Sequence, residues 1–218
     1  MRGTMVFALL LVVGVGCQVV SRERAASEPE ASMELMKAAQ QGLSTLAKMV
    51  NEQNYRAMGF ASANEARAAS LGDPVQVFVV RLDSLRQYDA GTDPMRLLTP
   101  ANRMLFSVVV GNDTRSSIAL EKDEGGWRAV RFGGAVLSQR LFDARSAPGG
   151  SADGSTTMSI SVPALNAEFR GVAQGDSLIL TSLVDDPSLD LKVGLTLPAG
   201  VMFARLVPAA QARDGQPR

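Results

Sequence analysis

The stretch RMLFSVVVGNDTRSSIALEKDEGGWRAVRF, from Arg103 to Phe132, decides the fold class of this chain. Three runs rich in apolar and β-branched residues, Arg103–Gly111, Ser116–Lys122 and Trp127–Phe132, are separated by Asn112-Asp113-Thr114-Arg115 and Asp123-Glu124-Gly125-Gly126. Apolar runs of strand length joined by short polar turns pair with their neighbours in sequence, so the stretch predicts a three-stranded antiparallel meander. Trp127, the only tryptophan, follows the glycine turn at a strand start. A large aromatic there is expected to be at least half buried against the helices.

Moving upstream, VQVFVVRL from Val75 to Leu82 reads as a well-buried strand, preceded by a break at Asp73-Pro74. Ser62 followed by Glu65 forms a capping box that opens a short helix, which Gly72 is expected to close. Between Ser32 and Gln53, Met33, Met36, Leu43, Leu46, Met49 and Val50 recur at spacings of three and four. That spacing predicts a helix with its stripe on the core. Gly42 in its middle costs ~1 kcal/mol relative to alanine, so packing must hold the helix.

Downstream, GGAVLSQRLFDA places Val136, Leu137, Leu141 and Ala144 on one helical face, which predicts a helix covering the meander. The turn-rich segment 146–155 separates this first half, residues 32–145, from a second β-rich half, residues 156–218. In the second half TMSISVP, LNAEFR and LILTSLV have strand lengths, and PAGVMFARLVPAAQA reads as a C-terminal helix interrupted by Pro208. The fold class expected is α+β, an antiparallel sheet packed with an N-terminal helix and further short helices.

The amino terminus has a different character. Arg2 is followed by an almost unbroken apolar run from Met5 to Val15, then Gly16 and Cys17, the only cysteine. A basic start, a short apolar run and small residues at its end have the layout of a secretory signal, and the run is short for the ~20 residues a membrane span needs. Val19 and Val20 keep an uncleaved apolar anchor open as the alternative. Residues 1–16 are read as the signal peptide, and the charged, proline-interrupted segment 17–31 as the acceptor cysteine and a flexible tether.

With Gly14, Val15 and Gly16 before Cys17, this segment resembles the signal and lipobox of bacterial lipoproteins, departing from that pattern at Gly14, where leucine is usual. The resemblance covers only the first ~20 residues of signal-type sequence. It implies lipidation of Cys17 and, through Gln18, transfer to the outer membrane. It implies nothing about the rest of the chain.

The composition narrows the chemistry. Twenty-two basic residues balance twenty-two acidic ones and no basic run occurs, so the electrostatic footprint of nucleic-acid binding is missing. There is no histidine, which removes Ser-His and Cys-His nucleophile pairs and the usual zinc ligand sets. Thr45 and Lys48 have the S-x-x-K spacing with threonine for serine, but the companion motifs of that class are missing and the spacing is common on any helix. Asp185, Asp186 and Asp190 offer oxygens, yet without the glycine and terminal glutamate of a calcium loop they read as turn chemistry. Gly133-Gly134 lacks both phosphate-loop patterns and reads as a tight turn. Arg103, Arg115, Arg128 and Arg131 lie on or beside the meander, and strict alternation puts Arg128 and Arg131 on opposite faces, as scattered surface charges.

The expectation is a lipid-anchored cell-envelope protein with a non-catalytic binding or structural domain and neither metal nor cofactor. Its partners would be the membrane, through the anchor, and an envelope protein or wall component. Two alternatives stand beside it. One is a carrier whose curved sheet and methionine-bearing helix enclose an apolar cavity, with Met33, Met36 and Met49 lining the groove. The other is a histidine-free hydrolase, which a pocket holding a desolvated carboxylate or lysine would favour.

Overall fold

The computed structural model describes the backbone of residues 19–143 and 155–213, and the side chains of residues 30–142 and 155–213. Cys17 and the signal-like segment therefore lie outside the described residues. Among the described residues no helix is long and apolar enough to cross a membrane.

The meander forms as expected: β2 (Leu98–Val110), β3 (Asp113–Asp123) and β4 (Gly126–Phe132) pair antiparallel in sequence order. The turns are tighter than the polar segments suggest, with Gly111 and Gly126 in the left-handed region that lets each chain reversal close. Strand β1 (Ser70–Val80) pairs antiparallel with β2 and parallel with β5 (Thr156–Val162). A second meander, β5, β6 (Ala167–Gln174), β7 (Ser177–Ser182) and β8 (Thr196–Pro198), continues from there. The result is one eight-stranded sheet in the order β4-β3-β2-β1-β5-β6-β7-β8, and the fold is α+β.

Residues in register share a face, so one row locates the first face: Leu120, Met104, Gln76, Met158, Gly171 and Leu180 line up across six strands. Two helices cover that face. Helix α1 (Val19–Met49) buries Ala38, Ala39 and Leu46 against Phe106, Val108, Ile118 and Leu120. Helix α5 (Ala199–Ala212) buries Met202, Phe203 and Leu206 against Ile160, Phe169 and Leu180. Tyr88, just beyond α3 (Leu82–Arg86), meets Phe203 edge to face at 6.0 Å. Trp127 is partly buried against the α1 cluster, with Lys122 Nζ 5.9 Å from the ring centroid.

Several elements depart from the sequence reading. The methionine stripe of α1 is not its core face: Met33, Met36 and Met49 are exposed, Met33 by 67%. The helix turns the smaller set Leu35, Ala38, Ala39, Gly42 and Leu46 to the sheet, because a Cβ at Gly42 would stand 3.1 Å from Ile118 Cγ2 and 3.3 Å from Ala129 Cβ. Small residues let the helix descend onto β3 and β4; methionines would hold it off. Helix α1 also begins at Val19, within the segment 17–31 read as a tether. Its run of Arg, Glu and Ala has helix propensity that the low hydrophobicity obscures.

Helix α2 (Ala63–Arg67) has its capping box, with Glu65 N–H donating to Ser62 Oγ at 3.2 Å and the Ala61 N–H donating to the Glu65 carboxylate. It closes before Gly72, however, and β1 runs through Gly72-Asp73-Pro74. The pairing slips between Leu71 and Pro74, a bulge that accommodates a residue with no N–H. A side chain at Gly72 would collide with Ser107 Oγ. Strand β1 ends at Val80 and Leu82 starts α3. Helix α5 continues through Pro208, which has no N–H to give the carbonyl four residues before it.

Helix α4 (Ala135–Asp143) crosses the second face of the sheet. It buries Ser138, Leu141 and Phe142, the last two packing with Val75, Leu105 and Leu183, whereas Val136 and Leu137 are exposed. The i, i+3, i+4 contact is rotated from the face expected on Val136, Leu137 and Leu141, and Ala144 lies outside the described residues.

Candidate functional site

Of the buried polar side chains on the strands, Ser116 and Ser182 stand on the first face, and Ser107, Ser117, Ser159 and Arg170 on the second. A slip in the β3–β4 pairing decides where its arginines go. Arg131 stands opposite Ala119, Ala129 opposite Leu120 and Arg128 opposite Glu121, so Val130 is an extra residue. Ala119 and Glu121 share a face, and Arg128 and Arg131 therefore share one too, correcting the alternation that separated them. Three of the four arginines are held in pairs. Arg103 meets Glu121 at 2.8 Å, Arg128 meets Asp123 at 2.6 Å, and Arg115 meets Glu65 at 2.9 Å and Asp113 at 3.2 Å. Arg131 makes no ion pair among the described residues.

Arg131 instead stands at a recess of about 170 Å³ between α4 and the sheet. The sheet curls enough that Glu168 of β6, five places from β4 in the strand order, lines the same recess. Ser117 and Ser159 add hydroxyls, and Leu105, Leu141 and Leu183 supply apolar wall. Helix α4 is the roof, fastened by Gln139 donating to the Thr114 carbonyl at 3.1 Å and Arg140 donating to the Leu183 carbonyl at 2.7 Å.

Glu168 Oε1 accepts a hydrogen bond from Ser161 Oγ at 2.7 Å, and among the described residues no partner holds Oε2. Burial pushes the Glu168 carboxyl above its ordinary pKa; the Ser161 hydrogen bond and the Arg131 charge oppose that rise. Gly133 and Gly134 line the recess at the start of α4, both at positive φ. Ser117 Oγ donates to the Gly133 carbonyl at 2.7 Å, and the Gly133 N–H donates to the Ser117 carbonyl at 3.0 Å. This turn brings the α4 N-terminus, whose first N–H groups have no acceptor within the helix, to the recess that Arg131 lines.

The other sequence candidates are not brought together. Thr45 and Lys48 are exposed on α1, and the threonine hydroxyl donates to the Gln41 carbonyl of its own helix at 2.9 Å. Asp186 caps a single 3₁₀ turn through Ser188, whose hydroxyl donates at 2.6 Å and is the main cause of a lowered Asp186 pKa. Asp185 accepts from the Val193 N–H at 2.8 Å, and Asp190 pairs with Arg205 at 2.9 Å. Among the described residues no three His, Cys, Asp or Glu side chains gather as a metal site.

The sequence reading missed Glu168, Ser159, Ser161 and Leu183. One signal was present: in LNAEFR, Glu168 alternates with Ala167 and Phe169, which places a carboxylate on the face opposite a core aromatic. No family model, no curated protein and no solved structure matches this chain.

Proposed function

We propose that this chain is a lipid-anchored protein of the bacterial cell envelope, held at the outer membrane through Cys17, whose folded body is a non-catalytic binding module. The observation that carries the reading is the single cysteine placed after Gly14, Val15 and Gly16 at the end of a signal-type apolar run. The geometry supports a body held away from its anchor. Helix α1 begins at Val19, and among its described side chains the first against the core is Leu35, about 24 Å further along at ~1.5 Å per residue. Two or three acyl chains, at about 0.8 kcal/mol per buried CH₂, hold such a body permanently.

The test is expression of the full-length chain in a diderm host beside Cys17→Ser. The wild type gains the mass of the acyl groups and fractionates with the outer membrane; Cys17→Ser stays unprocessed or is released. Equal membrane retention of both, with intact amino termini, rejects the anchor.

A second reading, the histidine-free hydrolase, is favoured by one observation. Glu168 is a partly desolvated carboxylate within hydrogen-bond reach of a serine hydroxyl, the placement a general base requires. Turnover of generic ester, phosphate, glycoside or peptide substrates that Glu168→Gln abolishes would replace the first reading. The carrier reading gains no such support, because Met33 and Met49 lie roughly 160° apart around α1 and line no common groove.

A further inference from the structure

We infer that the recess between α4 and the second sheet face binds a free amino acid with an apolar side chain, its carboxylate toward Arg131 and its ammonium toward Glu168. The inference rests on the binding-module reading and names the ligand of that body.

Each part of the recess selects against simpler ligands. The Arg131 guanidinium, without an ion pair among the described residues, offers two parallel donors, the geometry that fits a carboxylate. The N-terminus of α4 adds backbone donors and the positive end of a helix dipole at the same place. A plain anion would suit that end but would face Glu168, which lines the same small space. Among the described residues Glu168 Oε2 has no donor, and a carboxylate drawn partly out of water is stabilised by a bound cation. A plain amine would in turn face Arg131. A molecule carrying both charges meets both walls.

The remaining wall sets the size and the body of the ligand. Leu105, Leu137, Leu141 and Leu183 line the recess, so what lies between the charged groups is apolar. The volume of about 170 Å³ falls well below the ~300 Å³ at which drug-sized pockets begin, which suits a single small metabolite. Exposed Leu137 lies on the roof helix beside Ser138, so a branched side chain can rest under α4 without opening the core.

The test is calorimetric titration of the full chain, solubilised in detergent, with L-leucine, L-leucine amide and 4-methylpentanoate. Leucine binds, and the amide and the acid, each lacking one charge, bind about tenfold more weakly or worse, as loss of a charge-assisted hydrogen bond requires. Arg131→Gln weakens leucine to the level of the amide and leaves the amide unchanged. Glu168→Gln weakens leucine to the level of the acid and leaves the acid unchanged. Arg128→Gln, on the same face but outside the recess, leaves all three unchanged.

Absence of leucine binding at millimolar concentration overturns the inference, as does equal binding of leucine and its amide. The comparison of ligands uses the unaltered chain, so it stands even where a variant folds poorly. Lipidation of Cys17 is scored separately: a chain that is anchored but blind to leucine loses only the ligand, and one that binds leucine without lipidation loses only the anchor.

Discussion

The two faces of the sheet are built to different ends. Under α1 and α5 the buried residues are mainly aromatic and aliphatic, with Phe106, Phe169, Phe203, Leu46 and Leu206 closed off from water and Ser116 and Ser182 the buried hydroxyls in register with them. Under α4 the buried set includes Ser117, Ser138, Ser159 and Arg170, beside only a small apolar cluster around Leu141 and Phe142. Packing apolar surface is what stabilises a domain, whereas buried polar groups cost free energy unless partnered. The first face therefore holds the fold and the second presents chemistry.

Truncation should separate them most strongly. Phe203→Ala removes a fully buried ring from between α5 and the sheet and is expected to cost about 3–5 kcal/mol. Leu141→Ala enlarges a recess that is already open to solvent, and its cost should fall near the lower end, about 2 kcal/mol, of the range for buried leucines. Urea unfolding of the two variants measures the difference, and equal losses would erase the contrast between the faces.

A smaller effect is expected at Gly42. Valine there must push Ile118 and Ala129 aside where α1 crosses the meander, so Gly42→Val should lose about 1–3 kcal/mol through overpacking. Gly134, at the mouth of the recess, has no neighbour nearer than 3.9 Å to an added Cβ. Its restriction is the positive φ alone.

The legible part of this molecule is the part that depends on neighbours in sequence. The meander was readable because glycine turns bound apolar runs of strand length, and the α2 cap because Ser62 and Glu65 are three residues apart. What escaped depends on contacts across the chain. The parallel pair of β1 with β5 joins strands separated in sequence by β2, β3, β4 and α4, and no local pattern encodes it. The methionines of α1 satisfy helical periodicity, but the close approach at Gly42 selects a different stripe. The bulge at Val130 has no marker in WRAVRF, so alternation alone misplaced Arg131. Glu168 could be assigned to a face but not to a site, since its recess is closed by α4, which ends at Asp143, 25 residues before it.

The smallest expected effect is a pH dependence confined to the second face. Because burial raises the Glu168 pKa above its unfolded value, the folded chain holds that proton more tightly. Stability is then highest with the carboxyl protonated and declines as pH rises from the ordinary glutamate value through the raised folded one. Thermal unfolding across this interval should show the decline in the wild type and a flatter profile in Glu168→Gln. A wild-type profile that instead rises because of this residue would mean that Glu168 is stabilised as the anion.

The division of labour between the faces is tested most directly by methyl-resolved NMR of the full chain, titrated with L-leucine. The account predicts shifts at Leu105, Leu137, Leu141 and Leu183 around the recess, and unmoved signals from Leu46, Ile118, Ile160 and Leu206 on the first face. Shifts centred on the α1 and α5 face, or none anywhere at saturating leucine, would contradict it.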